Sequence, residues 1–345
     1  MRVVCLAGGV GGAKLADGLQ QILAPGELTV VVNTGDDLER HSLAVCPDFD
    51  TVLYTLAAIA DPVQGWGVAG ETWQVMGQLG RLGDDTWFRL GDRDLATHLY
   101  RTERLRRGAR PTEVALELAR SLGVPTRILP MADEPVRTRV RTAGGWLAFQ
   151  DYFVRLRQEP EVLEVRFEGA DDAAVTPEVR EAFRSAEAIL IGPSNPIVSI
   201  DPILAVPGLL AEITAARGRG VPGVGVSGIV GGRALRGPAD RLMASLGYEP
   251  SALGVARRYV AAGLLDAFVV DRQDEALAEP VRALGVEVSV TDTIMTDAGS
   301  RALLAREMLA AAAWAAAEHA EKRPSGGGAA HPRASDTRAG RSSDS

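Results

Sequence analysis

The chain has 345 residues, 46% of them hydrophobic, enough to bury the core of one large or two modest domains. Its formal charge of -8 repels a phosphate backbone, which excludes nucleic acid as an expected partner and leaves any anionic ligand to a local device: a cation, a glycine-rich turn or a helix start. Two cysteines, Cys5 in an apolar run and Cys46 before Pro47, make neither a disulfide framework nor a metal-ligand spacing, and a reducing cytoplasm is the expected setting.

The N-terminal "MRVVCLAGG" reads as a strand entering glycines and lacks the order of a secretion signal. In "LAGGVGGAKLADGL", Gly8, Gly9, Gly11 and Gly12 let backbone amides approach an anion, and a helix expected from Lys14 adds its dipole. A dinucleotide fingerprint needs a third glycine where Lys14 stands. A P-loop needs glycine directly before a lysine followed by Ser or Thr, whereas Ala13 precedes Lys14 and Leu15 follows it. The next strand, "LTVVVN", ends on Asn33 and not on the acid that holds an NAD ribose, although Asp36 and Asp37 are close by. A loop that meets phosphate, but not the usual NAD loop, is the expectation.

"CPDFDTVLYTLAAIA", residues 46–60, carries Asp48 and Asp50 ahead of a helical apolar run. Asp48 is placed to cap that helix, which accounts for one acid. Asp50 falls in the first turn, where the dipole favours it by under about 1 kcal/mol. Alternatively the pair holds Mg²⁺ against a diphosphate. Spacing alone leaves both readings standing. In "FRLGDRDLATHLYR", Arg89 precedes Asp92 and Asp94; either acid serves as a helix cap, and His98 reads as structural.

"PTEVALELARSL" and "TPEVREAFRSA" have helical spacing, and between them "VRTRVRTAGGWLAFQDYFVR" alternates about a Gly-Gly turn as an antiparallel hairpin. After the strand "AILIG", Ser194 and Asn195 are fixed between Pro193 and Pro196, by composition either turn chemistry or ligand contacts. "VPGVGVS", "DAFVV" and "VEVSV" read as further strands, separated by the helical "SALGVARRYVAAG" and "EALAEPVRALG". "ALLAREMLAAAAWAAAEHA", broken by Arg306 and Glu307, is expected to dock on the domain and not to span a bilayer. The alternation predicts an α/β fold: a Rossmann-like, doubly wound, mostly parallel sheet with an inserted antiparallel hairpin. One domain is expected over residues 1–321, with the insertion at about 130–170 as a lid or dimer contact and a disordered tail over 322–345.

Taken together, "GGVGGAKLADGLQ", "LTVVVNTGDDLERHSLAVCPDFDTVLYTLA", "WFRLGDRDLATHLYRT", "FQDYFV", "IGPSNPIVSIDPILAVPGL" and "DTIMTD" closely resemble, in order, the transferases that make precursors of coenzyme F(420). These are the archaeal 2-phospho-L-lactate transferase and its actinobacterial phosphoenolpyruvyl counterpart. The resemblance implies a homodimeric, Mg²⁺-requiring enzyme that moves an acid-bearing phosphoryl group from a guanosine diphosphate donor to the ribityl hydroxyl of the deazaflavin Fo, releasing GMP. It implies that Asp50 and Arg89, with Asp92 beside them, face Fo, and that Asp50 orients the hydroxyl. Gly8, Gly9, Gly11, Gly12, Lys14, Asn33, Ser194, Asn195 and Pro196 would face the donor, with Asp48 and Asp50 near the metal. "GGVGGAK" is similar to the bacterial branch, while Gly228 and Asp201 depart from the family's proline and glycine. A related nucleotide-sugar-binding regulator shares the first loop in outline but not the "PDFDTVLYTL" and "GDRDLATH" pair. An NAD-linked oxidoreductase is disfavoured by Lys14.

Overall fold

Seven short strands lie side by side, all parallel, in the computed structural model, which describes residues 1–322. They are β1 (Val3–Ala7), β2 (Leu28–Val32), β3 (Arg127–Pro130), β4 (Ala188–Ile191), β5 (Gly223–Val226), β6 (Ala267–Asp271) and β7 (Glu287–Thr291). Their order across the sheet is 3-2-1-4-5-6-7, the doubly wound arrangement expected from the alternation. Every residue of β1 is buried because both faces are covered: Val4 and Leu6 enter one core, Val3, Cys5 and Ala7 the other. Burial pushes the Cys5 thiol up to about 12, so it stays protonated and inert.

Leu6 of β1 pairs with Val31 on one side and Ile191 on the other. Strand order therefore reverses between β1 and β4, and the loops leaving their C-terminal ends diverge to open a crevice. The strand β3 had no clear sequence signal. It is four residues long and closes on Pro130 at the sheet edge, where a missing N–H breaks no ladder.

Helix α1 (Gly9–Ile22) starts at Gly9 and not at Lys14, so Gly11 and Gly12 belong to its first turn instead of a loop. A Cβ at residue 11 would stand 2.3 Å from the Pro193 carbonyl oxygen, and one at residue 12 would stand 2.7 Å from Ala7 Cβ and Ser194 Oγ. These glycines let the helix lie against the β4 loop. Helix α2 (Pro47–Leu56) begins with Pro47 at its first position and Cys46 at the N-cap, so Asp48 is inside the first turn and is not the cap. It stops at Leu56, short of the expected Ala60, and Ala58 follows in the left-handed region at φ +57°.

The insertion is a three-stranded antiparallel sheet, Arg137–Thr142, Gly145–Ala148 and Glu164–Glu168. "FQDYFV" does not extend the hairpin but winds into a π-helical turn at Asp151–Arg155. Of the tail expected over 322–345, residue 322 still belongs to the last helix, and the rest lies outside the described residues. Among the described residues no single helix is long and apolar enough to cross a membrane.

The C-terminal helix α4 (Ala298–Lys322) packs along α1, burying Leu304, Ala305, Met308 and Ala312. Arg301 pairs with Asp17 at 3.0 Å, and Gly18 allows the two backbones to touch: a Cβ there would sit 2.1 Å from the Arg301 carbonyl oxygen. Backbone cannot yield as a side chain can. Gly18→Ala is therefore expected to cost about 1–3 kcal/mol, read as a lower urea midpoint; an unchanged midpoint would show that the helices part freely.

Candidate active site at the sheet crossover

A cavity of about 770 Å³ fills the crevice between the β1 and β4 loops. The starts of α1 and α2, helix α3 (Asp92–Arg106), the insertion and the loop at residues 293–296 contribute its walls.

Its floor is acidic. Asn33, at the end of β2, donates its amide to Asp48 Oδ2 at 2.9 Å and to Asp36 Oδ1 and the Val198 carbonyl at 3.2 Å each. Its own Oδ1 accepts from Gly35 N at 2.8 Å. Asn33 is thus an organiser of two buried acids and has little left to offer a ligand directly. Burial drives Asp48 from its ordinary value near 3.8 up to about 6 against the pull of hydrogen bonds from Asn33 and Gly9. Burial and the Asp48 charge raise Asp36 well above the usual range. Among the described residues no Lys, Arg or His pairs with either acid, so no cation offsets the cost of ionising them and burial favours their protonated forms.

Asp50 has a different fate. Arg101 grips both its oxygens, Nη1 to Oδ2 at 3.0 Å and Nη2 to Oδ1. The same Nη1 approaches the Ala44 carbonyl and His98 Nδ1 at 3.2 Å each. With Nδ1 accepting, the ring proton belongs on Nε2, which stands 3.2 Å from Asp94 Oδ1. Tyr54 donates its hydroxyl to the same oxygen at 2.6 Å. Burial works against the ionised form of Asp94, but His98, Tyr54 and Arg101 together hold its pKa below the usual carboxylate value. Asp50, Asp94 and His98 stand close enough to surround a metal ion. Arg101 already holds Asp50, so of the two acids expected near a metal only Asp48 is left without a cation among the described residues, and the buried acid beside it is Asp36.

Arg89 lines the cavity with its guanidinium 4.0 Å from the centre of the Trp73 ring, and no carboxylate among the described residues pairs with it. Asp92 turns away from the cavity. Its carboxylate accepts from Thr72 Oγ1 and from the Gln74 and Val75 amides at 3.0 and 3.1 Å, capping the helix Gln74–Arg81. Glu71 reciprocates by capping α3 through the Arg93 and Asp94 amides at 2.7 and 2.8 Å. Asp92, expected to face a substrate, is thus not among the residues lining the cavity; Asp94 is the acid of that segment that does.

At the opposite end, Ser194 is tied to the first loop: its hydroxyl accepts from Gly8 N at 3.0 Å and donates to Gly8 O at 2.8 Å. It cross-links the β1 and β4 loops instead of offering a free hydroxyl. Asn195 caps the π-helical turn Pro196–Ile200 through its Oδ1, leaving its buried Nδ2 without a partner beside the cavity. Lys14 Nζ is anchored on the Met295 carbonyl at 2.7 Å, and Arg236 joins it in the lining. Burial, then the nearby Arg301 and Arg236 charges, lower the Lys14 pKa. An anion binding here would relieve that crowding. Trp66, Trp87, Phe88 and the stacked pair Phe149–Phe153, 5.4 Å between centres, supply a broad aromatic surface.

A family model described as 2-phospho-L-lactate transferase CofD matches residues 3–308. The chain belongs to that family. It is 44% identical over 314 residues to the phosphoenolpyruvate transferase of Streptomyces griseus, covering 90% of this chain and 98% of the relative. It is 41% identical over 294 residues to the 2-phospho-L-lactate transferase of Methanosarcina mazei, covering 85% and 95%. A crystal structure of a UPF0052 family member from Bacillus halodurans shares the fold at 17% identity, with a TM-score of 0.61 over 89% of this chain and 98% of that one.

The protein is accordingly a transferase, and the two positions expected to depart from the family's pattern, Asp201 and Gly228, separate cleanly. Asp201 forms a two-pronged ion pair with Arg258, with Nε at 3.2 Å from Oδ1, and is not among the residues lining the cavity. Gly228 does line it, and a Cβ there would come within 2.8 Å of the Pro193 carbonyl oxygen. Sequence reading passed over Arg101, Arg236 and the aromatic wall, because an arginine in "RTERLRRGAR" and aromatics scattered from residue 66 to 153 carry no local pattern.

Two outcomes follow from the floor and the caps. Folded Asp48 keeps a proton that the unfolded chain releases, so this residue's contribution lowers stability as pH rises from about 4 to about 6. Asp48→Asn is expected to flatten that fall in metal-free urea titrations, and an unaltered slope would mean that Asp48 titrates normally. Asp92→Ala is expected to lower the melting temperature while leaving the kcat/KM of the transferase reaction unchanged; a lower kcat/KM in a fully folded variant would return Asp92 to the site.

Proposed function

We propose that this transferase acts in coenzyme F(420) biosynthesis, moving a phosphoenolpyruvyl group from its guanosine diphosphate donor to the ribityl hydroxyl of Fo and releasing GMP. The observation that carries the reading is the polarity of one cavity. A glycine corner with Lys14 and Arg236 suits a diphosphate, while an aromatic wall with Asp50 and Arg89 suits a polyhydroxylated flavin-like ring. The bacterial form of "GGVGGAK" and the similarity to phosphoenolpyruvate transferases favour enolpyruvate over lactate. On this reading the enzyme works as a cytoplasmic homodimer.

The ribityl oxygen attacks the phosphorus that bears the three-carbon acid, and the bond from that phosphorus to the GMP oxygen breaks as the new phosphodiester forms. Asp50 receives the hydroxyl hydrogen bond and takes up the proton. Arg89 fixes the ring system from the side. Lys14 and Arg236 stabilise charge growing on the departing GMP phosphate. The family's requirement for Mg²⁺ fits the floor, where two buried carboxylates lack a cation: Asp36 and Asp48 would hold the ion, and it would neutralise the donor diphosphate.

Purified protein with Fo, Mg²⁺ and each guanosine-diphosphate-linked acid is expected to yield GMP and a phosphodiester-linked deazaflavin in equal amounts, fastest with enolpyruvate. Asp50→Asn should lower kcat by about 10²–10⁴-fold with Fo still bound. Absence of product from every donor, with nucleotide-sugar binding retained, would replace this reading with a regulator.

A further inference from the structure

We infer that Arg101 is a positioning residue for the transfer, acting through Asp50 from behind the cavity wall. The inference rests on the role proposed above for Asp50. Arg101 does not line the main cavity, whereas Asp50 does. Arg101 instead borders a separate space of about 230 Å³ behind that wall, with Cys46, Asp37 and Phe49. It touches no substrate there, yet both of its terminal nitrogens are committed to Asp50.

The grip is rigid because the guanidinium is itself held from several sides. Ala44 O and His98 Nδ1 accept from Nη1, and the Phe49 ring lies 5.7 Å below the guanidinium carbon. His98 Nε2 stands 3.2 Å from Asp94, which Tyr54 holds through its hydroxyl. A carboxylate bound at one oxygen can still rotate about its last torsion. Bound at both by a planar fork, it cannot. Each Asp50 oxygen keeps a second lone pair after serving Arg101, so the fork fixes the direction in which Asp50 meets the ribityl hydroxyl without consuming its acceptor capacity. An error of about 1 Å in that direction costs on the order of 10²-fold in rate. The alternative is an ion pair that only stabilises the fold.

A double-mutant cycle on the full-length protein separates the two. R101K keeps the charge but offers one point donor. It is expected to lose about 10–100-fold in kcat while Fo affinity, read by fluorescence titration, and the melting temperature stay near wild type. D50N/R101M removes both charges of the pair together and tests the idea even if R101K folds poorly. Its kcat is expected to equal that of D50N alone, because Arg101 has nothing left to position. Wild-type kcat in a folded R101K, or a double-mutant loss equal to the product of separate D50N and R101M losses, would overturn the inference on Arg101 alone. Normal turnover in D50N would overturn the role of Asp50 and this inference together.

Discussion

A carboxylate oxygen of Asp48 stands 2.6 Å from the point where a side chain on Gly8 would begin, and the rest of the site is arranged around that lack of room. For the acid to come so close, α2 must start against the end of β1, and Asn33 must draw the carboxylate inward. For α1 to start immediately after β1, its first turn must pass the β4 loop without side chains at residues 11 and 12. Ser194 then pins the two loops to each other. Glycine here is chiefly a matter of space; only Gly9 among the four also has a positive φ, at +61°.

The two acids of α2 illustrate how a helix divides labour. Residues two apart are separated by about 200° around the axis and cannot share a face. Asp48 therefore meets the glycine corner and remains without a cation, whereas Asp50 meets α3 and is neutralised by Arg101. The first arrangement is costly to the fold and useful to a cationic ligand; the second is costly only if broken.

Much of this was legible in the sequence where a pattern is local. Six of the seven sheet strands announced themselves as apolar runs, and Ser251 and Thr176 cap their helices as their spacing suggested. The glycine corner was found, although its helix was started five residues late because glycine argues against helix unless packing requires it. Partnerships across the chain were not legible. Nothing in "GDRD" says that Asp92 caps a neighbouring helix while Asp94 turns inward, since both are acids in the first turn of α3 and the choice is made by Glu71 and Thr72 some twenty residues earlier. Arg101 likewise gains its meaning only from Asp50, 51 residues upstream.

Asn33 occupies the place where dinucleotide-binding folds keep a ribose-holding acid, at the end of the second strand. Its side chain already serves four backbone and carboxylate atoms. Exchanging it for aspartate would set a third carboxyl group beside Asp36 and Asp48 and remove the amide that donates to both; an aliphatic residue would leave all four contacts unmet. Cofactor specificity in this fold is therefore not one substitution away from a nicotinamide enzyme. An engineer seeking to convert this scaffold would have to rebuild the acidic floor before touching the loop.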